Sequence, residues 1–211
     1  MIRIGRVVLI SCVLFFSINV FAESADAPAV NIGDRWEWQH TNALVNESDK
    51  TIIEDVIELN NSEIKVRERL KGRPDFGIAI FTQEWNPKDV IDAKYEPLLR
   101  LFKFPLEVGE KWTDTCDKRL LSTGKHGKFS VKGEVLGQEQ ITTPAGKFDT
   151  YKVKVILDAV GTDEDANTGH NEDIYWYAPE VKNYVRLQHT FTRDGVVRNK
   201  DIQELQDFSL R

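Results

Sequence analysis

Ile52-Ile53-Glu54-Asp55-Val56-Ile57-Glu58-Leu59 and Ile64-Lys65-Val66-Arg67-Glu68-Arg69-Leu70-Lys71, on either side of Asn60-Asn61-Ser62-Glu63, decide the fold. Both runs are rich in β-branched residues and alternate apolar with charged positions, and the four residues between them are turn formers, so they predict an antiparallel hairpin. A four-residue loop gives both faces a sensible composition. Leu59 then faces Ile64, Ile57 faces Val66 and Ile53 faces Leu70, while Glu58 meets Lys65 and Glu54 meets Arg69 on the other side. In this register the stripe Lys65, Arg67, Arg69, Lys71 is a solvated face paired with its neighbour, not an anion site.

The same register places Asp55 opposite Glu68 on the apolar face. Like charges repel and burial disfavours ionisation, so one of these carboxyls is expected to titrate above its ordinary value of about 4. The pair could share a proton, grip a cation or supply acid and base to a hydrolase. A register differing by one residue, or a face open to water, would remove that role.

Working outward, Asp34 to His40 alternates, with Trp36 and Trp38 on one face and Arg35, Glu37 and Gln39 on the other. Further strands are expected at 77–85, 98–104, 111–115, 128–136, 140–143, 148–157, 173–177 and 184–192. Asn86-Pro87-Lys88-Asp89 reads as an N-cap, a first-turn proline and an early acid, which predicts one short helix to about Tyr95. Pro144 and Gly146 fit a three-residue hairpin. Arg193-Asp194-Gly195 is likewise expected to be a three-residue loop, setting Phe191 opposite Val197. The fold class is therefore mainly β: a single antiparallel, strongly curved sheet or incomplete barrel of about ten strands with one short helix. Residues 23–32, small and polar, are expected to form a flexible leader before a single β-domain at 33–211.

At the start of the chain, Arg3 and Arg6 precede an apolar run from Val7 to Val20 that ends in Val20-Phe21-Ala22. This pattern reads as a signal peptide (residues 1–22) cleaved after Ala22, and it predicts a periplasmic protein with no integral membrane segment in the mature chain. A lipoprotein-like reading of Leu9-Ile10-Ser11-Cys12 leaves too short an apolar lead-in. The 211 residues carry 28 basic and 34 acidic groups, net −6. Cleavage would remove two arginines and no acid, leaving −8. That balance argues against nucleic acid as a partner. Cleavage also leaves Cys116 alone, so no internal disulfide is expected, and a lone thiol reads as buried and inert.

Nucleophile elbows, phosphate loops, dinucleotide glycine patterns and zinc motifs are all missing from the sequence, and no cofactor is implied. Of the four histidines, His189 shares an apolar face with Leu187 and Phe191 and reads as a hydrogen-bonded structural histidine. The acidic stretch at 163–173 offers Asp163, Asp165 and Asn167 at a calcium-like spacing. Thr168 stands where the calcium loop needs glycine and Ile174 where it needs glutamate, so a solvated hairpin loop is the better reading.

Aromatic residues are the remaining signal. Trp36, Trp38, Trp112, Trp176, Tyr175 and Tyr177 fall on strands, where they serve either as core or as the lining of a concave surface. Three stretches taken in order, Pro105-Leu106-x-x-Gly109-x-x-Trp112, Pro144-Ala145-Gly146-x-Phe148 and Trp176-Tyr177-x-Pro179, resemble a group of uncharacterised exported proteins of Gram-negative bacteria. The resemblance covers about residues 98–190. It implies an antiparallel β-protein similar in shape to the LolA/LolB-type lipoprotein carriers, whose curved sheet holds acyl chains, and it implies no catalytic residues. The leading expectation is a non-catalytic periplasmic module binding a small hydrophobic or amphipathic ligand on the inside of the sheet, with Trp36, Trp38, Trp176, Tyr177, Asp55 and Glu68 as candidate site residues. The alternatives are an assembly module that binds an envelope protein and a carboxylate-based hydrolase.

Overall fold

The structure is a computed structural model that describes residues 24–74, 76–160 and 169–211. The expected signal peptide and the candidate calcium ligands Asp163, Asp165 and Asn167 lie outside the described residues. Among the described residues fourteen strands follow in order: β1 Ser24–Ala25, β2 Arg35–Asn42, β3 Glu47–Leu59, β4 Glu63–Leu70, β5 Phe76–Thr82, β6 Pro87–Val90 and β7 Ala93–Glu96 form the first half. β8 Leu106–Glu107, β9 Lys111–Leu120, β10 His126–Thr143, β11 Gly146–Val160, β12 His170–Ala178, β13 Asn183–Arg193 and β14 Val196–Ser209 form the second, and a single 3-10 turn, Pro179–Val181, joins β12 to β13.

Twelve of the strands close into an antiparallel barrel, while β1 and β8 pair separately. The expectation of an incomplete barrel of about ten strands with a helix at 87–95 is therefore corrected, and one segment accounts for both differences. Residues 87–96 form the short hairpin β6–β7, which pairs with β5 on one side and with β9 on the other and so closes the ring. Asn86 is not a helix cap. It is buried, its side-chain oxygen accepts the Leu101 and Phe102 amides at 2.7 and 2.8 Å, and its amide donates to the Phe102 carbonyl at 3.0 Å. These bonds fix residues 97–105, expected as a strand over 98–104, as an irregular segment that packs Leu99, Leu101 and Phe102 into the barrel core.

Two turns also differ from expectation. Thr143 pairs with Gly146 across a two-residue loop. Arg193 pairs with Val196 around Asp194 (φ 53°) and Gly195 (φ 71°), the left-handed pair that favours a tight two-residue hairpin, and a bulge then brings Phe191 opposite Asn199.

Hairpin connections alternate between the two ends of the barrel, and the ends differ in content. At the end carrying the β3–β4, β5–β6 and β12–β13 turns, Trp36, Phe102, Leu106 and Tyr177 are almost wholly buried. Asp34, fully buried there, accepts the amides of Asn31 (2.9 Å) and Arg211 (2.6 Å) and the ammonium of Lys182 (3.0 Å). One carboxylate thus ties the chain entering β2, the C-terminus and the β12–β13 turn together. On the approach to this end, β1 pairs with β8 and Val30 is buried. On β10, Gly133 makes room for a tryptophan: a Cβ there would lie 1.9 Å from the Trp112 ring.

Candidate functional site

Inside the barrel lies a half-enclosed cavity of about 200 Å3. Its walls are Phe81, Trp85, Phe102, Tyr175 and Tyr184, with Ile52, Leu101 and Leu187, and its polar lining is Glu54, Glu68, Asn183 and Gln203. The rings belong to a continuous network. Phe81 meets Trp85 edge-on at 5.3 Å, Trp85 meets Trp36 at 5.4 Å, Trp36 stacks on Trp38 at 6.3 Å and Trp38 on Tyr184 at 5.2 Å. From Tyr184 it continues to Tyr175 (5.5 Å) and from Tyr175 to Phe102 (5.3 Å). Such edge-on and stacked pairs add about 0.5–1.5 kcal/mol each beyond their buried area. The cavity is thus rigidly walled.

Two β-bulges aim the polar residues inward. In β3, Val56 pairs with Val66 and Glu58 with Lys65, so Ile57 is the extra residue and the strand slips by one. Glu54, not Asp55, therefore faces Glu68 on the inner face. Asp55 is turned to the outer face, where it binds Arg69 (3.2 Å) and Arg35 (3.6 Å). In β13, Trp176 pairs with Arg186 and Tyr177 with Tyr184, skipping Val185, so Tyr184 and Leu187 both reach the cavity although three residues apart.

Glu54 is half-buried and lines the cavity. Burial raises its pKa well above the usual carboxylate range, and the charge of Glu68 adds to the effect. Burial also raises Glu68, with Lys50 at the exposed side opposing it. Tyr184 donates its hydroxyl proton to Gln203 Oε1 at 3.0 Å, and burial pushes its pKa far up, aided by the charges of Glu54 and Glu68.

Beyond the Leu187–Gln203 pair the interior becomes ionisable. His189 pairs across the sheet with Asp201 and Asp173. Its Nδ1 lies 2.6 Å from Asp173 Oδ1, a hydrogen bond that raises its pKa, in keeping with a hydrogen-bonded structural histidine. Tyr175 donates to the other Asp173 oxygen at 3.4 Å, and His40 Nε2 lies 3.6 Å from Asp201. Lys118 in the same region has its pKa lowered by burial. Cys116 is buried, and burial together with Asp114 pushes its thiol up to about 11, so it stays protonated and is no nucleophile near neutrality.

Of the other residues singled out from sequence, Trp36 and Trp38 are fully buried inside the barrel, one ring behind the cavity wall. Trp36 and Trp85 donate their indole N–H groups to the carbonyls of Val181 (2.9 Å) and Lys182 (2.7 Å). The indole N–H of Trp38 is buried without a partner among the described residues. Tyr177 is inside too, packed on Phe102 and Phe104. Trp176 is not inside: it lies on the outer face between Lys152 (5.1 Å) and Arg186 (5.7 Å), with its N–H bonded to Glu139 at 2.6 Å. Sequence reasoning missed Glu54, Phe81, Trp85, Phe102 and Tyr184. Only Tyr184 had a visible signal, as the first residue of an apolar alternating run. Among the described residues no group of three or more histidine, cysteine, aspartate or glutamate side chains comes together to hold a metal ion.

The class this defines is a closed antiparallel β-barrel with an aromatic interior, an internal cavity and a charged exterior. The chain belongs to the DUF3108 family of proteins of unknown function, whose model matches residues 57–198. In fold it is similar to a candidate lipoprotein from Parabacteroides distasonis, at 16% identity over 89% of this chain and 100% of that one with a TM-score of 0.52. It is also similar to a candidate exported protein with a YmcC-like fold from Bacteroides fragilis, at 16% identity over 88% of this chain and 99% of that one with a TM-score of 0.56. No curated protein matches the chain.

Proposed function

We propose that this chain is exported, that it is cleaved after Ala22, and that it acts in the periplasm as a non-catalytic module holding a hydrophobic or amphipathic ligand inside its barrel. The observation that carries the reading is the cavity of about 200 Å3 walled by five aromatic side chains. That volume exceeds the roughly 150 Å3 of an apolar cavity that admits benzene, and few polar groups in an apolar wall are the usual composition of a small-molecule site. Export is supported by the basic and apolar start of the chain and by the descriptions of the two fold neighbours as exported or lipoprotein candidates.

The polarity of the barrel supports a water-facing exterior. The outer face carries ion pairs such as Asp55–Arg69, Lys71–Glu37, Lys154–Glu172 and Arg186–Glu204, whereas a barrel spanning a bilayer turns apolar side chains outward. No helix among the described residues is long and apolar enough to cross a membrane. An assembly module that pairs through strand edges is the weaker reading, because each of the twelve barrel strands already has two neighbours. The test is native mass spectrometry of protein purified from the periplasm, followed by titration of its tryptophan emission with alkyl chains of graded length. A saturable shift from the Trp36–Trp38–Trp85 network is expected. No adduct and no saturable response at any chain length would refute the reading.

A further inference from the structure

The cavity's charged lining is of one sign. Glu54 and Glu68 face each other as a cross-strand pair, and no lysine, arginine or histidine is among the lining side chains. Glu54, half-buried on the cavity wall, has no hydrogen bond or ion pair within the described residues. The cation whose charge opposes the raised pKa of Glu68 is Lys50, an exposed residue outside the cavity lining. The hydroxyl protons that could have served the pair are engaged elsewhere, Tyr184 with Gln203 and Tyr175 with Asp173. The cavity that this acidic pair lines is otherwise walled largely by aromatic rings, one of them Trp85, which holds a left-handed backbone (φ 59°) rarely adopted by bulky residues.

Resting on the binding role just proposed, we infer that the ligand's polar end is an organic ammonium group, seated between Glu54 and Glu68 and against the rings of Phe81, Trp85 and Tyr184. Two observations meet here: a facing pair of carboxylates on a cavity wall that holds no cation of its own, and the aromatic rings that make up much of the rest of that wall. Each favours the same ligand chemistry. Carboxylates supply the countercharge and accept N–H hydrogen bonds, while aromatic faces attract a cation through their quadrupole, most strongly when it is desolvated. An alkyl chain attached to the ammonium group fits the apolar remainder, Ile52, Leu101 and Leu187.

A bare divalent cation fits less well. Calcium takes six to eight oxygen ligands and magnesium keeps most of its waters, and five rings cannot replace either shell. An anionic headgroup is opposed by both carboxylates.

The test compares n-octylamine, n-octanol and octanoate, matched in chain length, by calorimetry and tryptophan emission at pH 7, using the full mature chain. Octylamine is expected to bind at least tenfold more tightly than octanol, and octanoate least. Glu54→Gln and, separately, Glu68→Gln should each lower the octylamine affinity several-fold and leave octanol unchanged, with circular dichroism confirming the fold of each variant. If octanol equals octylamine and neither substitution separates them, the ammonium assignment is wrong while the apolar-ligand reading stands. If octanoate binds best, the assignment is likewise wrong. If none of the three binds saturably, both readings fall.

Discussion

The two halves of the barrel interior solve the problem of buried polarity in opposite ways. At the end built around Trp36, Phe102 and Tyr177, two buried polar side chains are fixed by several bonds each: Asn86 makes three bonds to the backbone of Leu101 and Phe102, and Asp34 accepts from Asn31, Lys182 and Arg211. In the half beyond Leu187 and Gln203, ionisable side chains pair with one another, as in Asp173–His189 and His40–Asp201. Glu54 and Glu68 lie where the two regimes meet, inside the aromatic network but without the bonds that settle Asp34. A closed barrel needs one end packed for stability; the other end is then free to carry groups whose charge state depends on the medium.

The largest effects should therefore come from the packed end. Phe102→Ala removes a ring buried to 1% that contacts Phe104, Tyr175 and Tyr177, and should cost about 3–5 kcal/mol in urea unfolding. Asp34→Ala should cost somewhat less, about 3 kcal/mol, because Lys182 and two amides lose their acceptor together. A loss under about 1 kcal/mol in both variants would mean that this end is not the stabilising one, and the contrast between the halves would collapse.

Legibility from sequence follows the same divide. Alternation in 34–40 and 52–71 identified the strands and the inward pair Trp36 and Trp38, because period two is a local property that burial enforces. What escaped was non-local. The bulge at Ile57 exchanged Asp55 for Glu54 without any marker in the run itself, since both registers place isoleucine and valine on a plausible face. Trp176 was assigned inward as an aromatic residue on a strand, yet its alternation partner Tyr175 occupies the interior, and Trp176 covers the outer face beneath Lys152 and Arg186. Asn86-Pro87 carries a genuine helix-start signal, overridden because Asn86 is needed to hold the 97–105 segment and residues 87–96 are needed to close the ring. The facing acidic pair on the inner sheet was legible as chemistry before its members were correctly named.

That exchange of members gives a prediction of intermediate size. Above the ordinary glutamate range the fold must either hold a proton on Glu54 or keep its charge in the interior without a cationic partner, and both cost free energy, so Glu54→Gln should stabilise the unliganded protein by on the order of 1–2 kcal/mol. Asp55→Asn, one residue along, should do the reverse and destabilise by about 0.5 kcal/mol, having lost its outer-face contacts with Arg69 and Arg35. Urea unfolding of the two variants side by side reads the bulge directly. If Asp55→Asn stabilises and Glu54→Gln does not, the inner and outer residues have been interchanged.

The smallest effect separates the halves by pH. Glu54 and Glu68 have folded-state pKa values above their unfolded ones, so the folded chain holds protons that the unfolded chain releases, and stability falls as pH rises from about 4.5, the ordinary glutamate value. His189 is also raised, through its bond to Asp173. Its contribution is fully present below about 6.5, the ordinary histidine value, and is lost as pH climbs through the folded-state pKa. Both slopes have the same sign but begin two pH units apart. Unfolding free energies measured from pH 4.5 to 9 should accordingly descend from the start in the parent and gain a further component above about 6.5. Glu54→Gln should flatten the first and His189→Gln the second, the latter by on the order of 0.5–1 kcal/mol since His189 is partly exposed. If His189→Gln leaves the upper descent intact, the bond to Asp173 is made equally well by the neutral ring, and the descent belongs to other groups; Lys118 is not among them, because a lysine pKa lowered by burial makes stability rise with pH.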